Sequence, residues 1–290
     1  MSYDLYFTKP EITKDQFSAY FEERTNYTVN NSQAWYANED TGVYFSFEYS
    51  DDPPDDPEAP EGRVSFNLNF YRPHFFALEA ELELRDFVNR FGLEIFDPQN
   101  EGMGEPTYNT DGFYRGWNYG NEFGYSALLN SEKPPEVIYS RLKDELEKIW
   151  EWNYSRQQLQ HELGEDIFVP KIIFIQAKGR LHSAVFWPDA IPTLIPTVEA
   201  LIIPRQEIAP RRFFKRREDT CFIPFHMART VFEPFKSNEY VLPSISLPYP
   251  TTPAAVIDFV KNLEPYSEQL ASVAMDQILV DELVKKYRKG

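Results

Sequence analysis

Two runs that alternate with period two constrain this chain more than anything else in it. In "RVSFNLNFY" Val64, Phe66, Leu68 and Phe70 fall on one side and Ser65, Asn67 and Asn69 on the other. That is the pattern of an antiparallel strand with one buried and one wetted face. In "GVYFSFEY" Val43, Phe45 and Phe47 share a face in the same way, a spacing that strands use and helices do not. Between the two runs, Ser50 to Gly62 ("SDDPPDDPEAPEG") holds six carboxylates and four prolines. Such a tract cannot build a core of its own, and its prolines predict a semi-extended arm lying in water. A two-residue turn would have sufficed to join the strands, so the arm raises the question of what it is for.

The flanking segments extend the pattern. "YDLYF" (Tyr3 to Phe7) and "QAWYA" read as strands, and "TKDQFSAYFEER" as a helix with Phe17, Tyr20, Phe21 and Arg24 at helical spacing behind the cap Thr13. "FFALEAELELRDFVNRFG" carries Leu78, Leu82, Arg85, Phe87, Val88 and Phe91 on a second helix that Gly92 ends, and "LEIFD" returns as a strand. The order β-α-β-β-β-α-β predicts an α+β fold, a mixed or antiparallel sheet with its helices on one face, as a ferredoxin-like variant with an added strand.

From Asn100 to Asn121 the chain is rich in Gly, Asn, Thr and Tyr and is read as a long surface loop, with Tyr108, Tyr114, Trp117 and Tyr119 as contact area for a partner. "PPEVIYSRLKDELEKIWEWNYSRQQLQHELG" predicts a long helix from Pro134 to Gly164. Placed as a connector, it divides the chain into an acidic α+β domain, 1–165, and a Pro-rich α+β domain, 166–290. In the second half "IIFIQAKGRLHSAVFW" is a hairpin turning at Gly179, while Pro192, Pro196 and Pro204 leave Val198 to Ile203 as a strand. Two helices are expected to close the chain, one capped by Thr252 and one over "SEQLASVAMDQILVDELVKKYRK".

The charge is unevenly divided. Residues 1 to 150 hold 12 Lys and Arg against 29 Asp and Glu, whereas residues 151 to 290 hold 17 against 17. A negative field on one half repels nucleic acid and anionic membrane and draws a basic partner over about 8 Å at physiological salt. Asp51, Asp52, Asp55, Asp56, Glu58 and Glu61 of the arm are the steering charges this reading selects. The opposite cluster, Arg211, Arg212, Lys215, Arg216 and Arg217, with His226 nearby, suits an anion or a nucleotide.

Motifs for chemistry are absent. There is no GxxxxGK[ST], GxGxxG or GxSxG, and the four histidines are scattered, "HELGED" lacking the second histidine of a zinc helix. No catalytic residue, metal or cofactor is therefore expected. Cys221 stands alone, the start lacks a signal-like apolar run, and no stretch is long enough to cross a bilayer, so a cytoplasmic protein is expected.

The opening "SYDLYF", the amphipathic helix after it and the strand "TGVYFSFEY" resemble bacterial immunity-type proteins that neutralise toxins delivered between cells. The resemblance covers roughly the first hundred residues. It implies a non-enzymatic inhibitor that occludes a toxin's active site, and it carries over no functional residues.

Overall fold

The computed structural model describes residues 1–30, 32–51, 62–104, 106–212, 215–216 and 218–288. The fold is α+β. Two compact units are formed, Met1–Leu146 with Asp276–Gly290, and Glu147–Met275.

The first unit begins with β1 (Ser2–Lys9), α1 (Lys14–Glu22), β2 (Tyr27–Val29), β3 (Gln33–Ala37), β4 (Tyr44–Tyr49), β5 (Val64–Asn69), α2 (Phe75–Phe91), β6 (Glu94–Phe96), α3 (Thr110–Leu129) and β7 (Tyr139–Arg141). The first six strands form one sheet in the order β2-β3-β4-β5-β1-β6, antiparallel at every pairing. Each helix-linked pair, β1 with β2 and β5 with β6, therefore runs parallel with other strands between. This is the ferredoxin-like arrangement with its central hairpin widened to a four-stranded meander; the short strand β2 is the one the sequence pattern does not reveal.

Alternation holds in β1 and β5, and in β4 apart from Ser46, which is buried as well. Tyr3, Leu5, Phe7, Phe45, Phe47, Val64, Phe66 and Leu68 are buried on one face. The helices lie on that face: Phe21 of α1 is 4.8 Å from Phe47, Phe87 of α2 is 5.2 Å from Phe7, and Phe113 of α3 is 5.8 Å from Tyr3 between ring centroids. Thr13 caps α1 through a reciprocal bond with Gln16, and Gly92 ends α2 at φ 65°.

The expected connecting helix is instead α4 (Lys143–Leu163), preceded by the strand β7, and Val137 and Leu142 of the apolar pattern are exposed. Past its first turn α4 is bonded to the chain that follows. Trp152 Nε1 donates to the Pro170 carbonyl at 2.9 Å, and Asn153 exchanges bonds of 2.9 and 2.8 Å with the backbone of Ile172. Contacts thus divide the chain near residue 146, where the sequence reading puts the division near 165.

The second unit continues with β8 (Ile173–Ala177), β9 (Arg180–Phe186), β10 (Thr193–Pro196), β11 (Ala200–Arg205), β12 (Arg211–Arg212), β13 (Lys215–Arg216), β14 (Asp219–Pro224), α5 (Arg229–Phe232), β15 (Ser237–Glu239), β16 (Pro243–Leu247), α6 (Ala254–Asn262) and β17 (Ala271–Val273). Its main sheet runs β14-β11-β9-β8-β17, with β9 and β11 parallel. The hairpin β8–β9 turns through Lys178 and Gly179, both at positive φ, as a type I′ turn requires. Thr252 does not cap α6: Pro253 occupies the N-cap, and the Thr252 hydroxyl reaches the Ala190 carbonyl at 3.4 Å.

The final expected helix is mostly not one. β17 pairs with β8; β18 (Ile278–Val280) then pairs in parallel with β7, and α7 spans Asp281–Tyr287 alone. "ASV" and "ILV" are rich in branched side chains that suit strands, and sheet partners outweighed the weak helical period there. Among the described residues no helix is long and apolar enough to cross a membrane.

Candidate functional site

The segment read as a loop contains α3. Asn109 caps it, accepting from the Gly112 amide at 2.6 Å, and Asp111 in its first turn complements the helix dipole. Glycine at a helix interior costs about 1 kcal/mol relative to alanine, yet Gly112, Gly116, Gly120 and Gly124 recur at every fourth residue. The reason is close approach to the sheet. A Cβ on Gly116 would sit 2.3 Å from the Tyr3 hydroxyl, and one on Gly120 would sit 2.1 Å from the Phe70 ring.

Beside this stripe Phe113, Trp117, Asn121 and Tyr125 are buried. Trp117 is therefore not displayed to a partner: it is fully buried, with Nε1 donating to the Asn69 carbonyl at 3.3 Å. Tyr108 is half-buried, and its hydroxyl donates to Glu81 at 2.9 Å. Both aromatics belong to the fabric of the unit. The glycine spacing, with aromatics one place on, is the signal that would have revealed the helix.

The outward face of α3 keeps the other two sequence-selected aromatics. Tyr119 is 61% exposed, and Phe123, one turn on and not anticipated, is 62% exposed. Residues four apart on a helix are surface neighbours, so these rings form one patch. Next to it Glu101, Asp111, Tyr114, Arg115, Asn118 and Tyr119 line an open hollow of about 640 Å³. Glu122 on the same helix is engaged within the unit, accepting from Lys286 at 2.7 Å and Tyr287 at 2.9 Å.

The electrostatics of the first unit follow from counting. It holds 15 Lys and Arg against 31 Asp and Glu, a balance of −16, while the second unit holds 14 against 15. Even if every cation of the first unit were paired internally, 31 less 15 would leave 16 carboxylates without one. Some are inside. Glu79 accepts from Tyr36, Asn38 and Thr41 at 2.7, 2.8 and 3.0 Å, and Asp97 accepts from Tyr3 at 2.7 Å and from the Met103 amide at 3.1 Å. Glu81 takes Tyr108, Thr110 and Arg85. Others face water, among them Asp15, Glu22 and Glu23 of α1 and Glu101 and Asp111 beside the hollow.

Of the arm's charges, Asp52, Asp55, Asp56, Glu58 and Glu61 lie outside the described residues. Asp51 does not act as a free charge: Lys14 Nζ is 2.5 Å from its carboxylate. The roots of the arm are fixed. The Ser50 amide donates to the Arg63 carbonyl at 2.7 Å, Arg63 Nη1 donates to the Asp51 carbonyl at 2.6 Å, and the Arg63 guanidinium also reaches Glu11 at 2.8 Å. Gly62 lies so close to the Phe7 carbonyl that a Cβ there would be 2.3 Å from the oxygen.

The basic cluster forms the hairpin β12–β13, with Arg211 opposite Arg216 and Arg212 opposite Lys215. The side chains of these four residues and the whole of Arg217 lie outside what is described. His226 is exposed in a short 3₁₀ turn, and Cys221 is fully buried, its thiol pushed up to about 11 by burial. At neutral pH Cys221 is a protonated thiol, a poor nucleophile. Among the described residues no group of His, Cys, Asp and Glu could hold a metal ion.

Compared with protein-family models, with curated proteins and with solved structures, the chain finds no match.

Proposed function

We propose that the first unit binds a basic protein, and that the chain acts as a cytoplasmic immunity-type inhibitor that covers a toxin's or effector's working surface. The observation that carries this is the coincidence of the exposed rings of Tyr119 and Phe123 on α3 with the carboxylates of Asp111, at the start of that helix, and Glu101, in the segment before it. A hollow lined by two tyrosines and two carboxylates against the single cation Arg115 keeps a net negative charge and suits a lysine or arginine side chain, which gains a cation–π contact and an ion pair together. The negative surplus of the unit steers such a partner, and the two rings provide the apolar anchor that holds it.

The test is affinity capture with the intact protein from its native source, run beside a Tyr119→Ser, Phe123→Ser double variant. The proposal expects a basic protein retained by the first and lost by the second, with matching circular dichroism. Equal retention, or capture of acidic proteins alone, rejects it.

A second reading is favoured by the register of β12–β13, whose backbone sets Arg211 against Arg216 and Arg212 against Lys215, a concentration of cationic residue types that suits an anion. It predicts thermal stabilisation by a nucleotide or phosphorylated metabolite, abolished by Arg212→Ala with Arg216→Ala. No shift with any such compound rejects it.

A further inference from the structure

The two faces of the second unit's main sheet are covered unequally. Phe174, Val185, Leu201 and Ile203, on one face, are all fully buried. On the other, the register sets Phe186, Ile202 and Phe222 in one cross-strand row and Ile173, Ala184 and Ala200 in the next. This face is met by a strap, residues 263–270, without regular secondary structure. Its Tyr266 and Leu270 pack on the buried cluster of Ile175, Ala177, Ala184, Ala200 and Ile202.

The strap is anchored at its first residue, where the Leu263 carbonyl accepts from Arg205 at 3.1 Å, and has few polar ties beyond it. The Tyr266 amide donates to the Thr220 carbonyl at 2.8 Å, and Glu268 pairs at 3.8 Å with Lys178 in solvent. The Tyr266 hydroxyl is buried with no hydrogen-bond partner among the described residues. Beneath the strap remains a cavity of about 560 Å³, and at its side Phe186 is left 42% exposed beside a fully covered Ile202. Roughly 300–1,000 Å³ with apolar walls and a few polar groups is the usual form of a small-molecule site. Here the walls are Ile173, Phe186, Ile202 and Leu270, the polar groups are hydroxyls of Thr220, Tyr266 and Ser272, and the charged member among the lining residues is Glu268.

We propose that this cavity binds a small aromatic or branched aliphatic molecule that carries no negative charge. Its body covers Phe186 and Leu270, which water now touches, and a polar atom meets the hydroxyls under the strap. The Glu268 carboxylate at the rim disfavours anions, its pairing with Lys178 being long, at 3.8 Å, and exposed on both sides. This site is independent of the surface on α3.

The probes are N-phenyl-1-naphthylamine, which is neutral, and 1-anilinonaphthalene-8-sulfonate, which adds a sulfonate to the same ring body. The intact protein is expected to give a saturable fluorescence gain with the neutral dye at one site, and to bind the sulfonate about 5-fold more weakly. Phe186→Ser or Leu270→Ser, each at a partly exposed position, should weaken the neutral dye about 10-fold. Glu268→Gln should narrow the gap between the dyes and leave the neutral one unchanged. No saturable gain, or gains undiminished in both serine variants at unaltered circular dichroism, overturns the site. Equal affinity for the two dyes overturns the charge preference.

Discussion

The two units bury opposite charges. The first encloses carboxylates, Glu79, Glu81 and Asp97, and satisfies them largely with hydroxyls, an amide and backbone N–H groups. The second encloses an arginine, Arg205, whose guanidinium makes paired bonds of 2.6 and 2.9 Å to Asp219 and donates to the carbonyls of Val260 and Leu263 at 2.6 and 3.1 Å. Arg205 thereby ties β11 to the last turn of α6, where unpaired carbonyls and the dipole favour a cation. The cores differ as well: clustered aromatic rings in the first unit, a cluster of aliphatic side chains in the main sheet of the second. The lesson is that the acidity of the first unit has two layers. One is structural and satisfied; the other is solvent-facing and outnumbers the cations of its unit, although Asp51, Glu11 and Glu122 each have one.

The largest expected effect breaks the second unit. Arg205→Met strands a buried part of Asp219 and the end of α6, and should cost about 3–5 kcal/mol, read as a lowered melting transition of that unit. Next comes Glu79→Ala, which leaves the Tyr36, Asn38 and Thr41 donors without their acceptor and should cost the first unit about 2–4 kcal/mol by denaturant unfolding. Gly120→Ala forces the Phe70 ring aside, for about 1–3 kcal/mol in the same assay.

Alkaline titration sharpens the comparison without a mutation. Burial pushes Tyr3, Tyr27, Tyr36, Tyr108 and Tyr125 of the first unit upward, and Tyr20 up to about 12, with neighbouring carboxylates adding to the shift at several of them. A raised folded value means that the unfolded chain loses its proton first. The associated stability is whole below the ordinary tyrosine value of about 10 and is lost as pH climbs through the folded values. In the second unit Tyr249 and Tyr266 are raised. Between pH 10 and about 12 the first unit's transition should therefore fall faster. Smallest of all, Tyr119→Ser with Phe123→Ser should leave stability within about 0.5 kcal/mol, since both rings are exposed, while removing partner binding.

How much was legible follows from which forces were local. The alternation of Phe45, Phe47, Val64, Phe66 and Leu68 named both the strands and their inner face, and Thr13 and Gly92 marked helix ends, because these signals sit within a few residues. The helix α3 was hidden because its stripe of glycines makes sense only against Tyr3 and Phe70, distant in sequence. Trp117 looked like an anchor for a partner for the same reason. The strands β7, β17 and β18 are three residues each, and their partners are either far along the chain or themselves too short to announce. Of the candidate surface, Tyr114 and Tyr119 were readable as composition. Phe123, Asp111 and Glu101 joined them only once the helix was folded.

The most direct measurement is the association rate of the captured basic partner with the intact protein, at low and at high salt, for the native chain and for Glu101→Gln with Asp111→Asn. The account predicts a fast rate that falls steeply with salt, and a slower, flatter dependence in the charge-neutralised variant. A rate indifferent to salt, or identical in the two proteins, would contradict it.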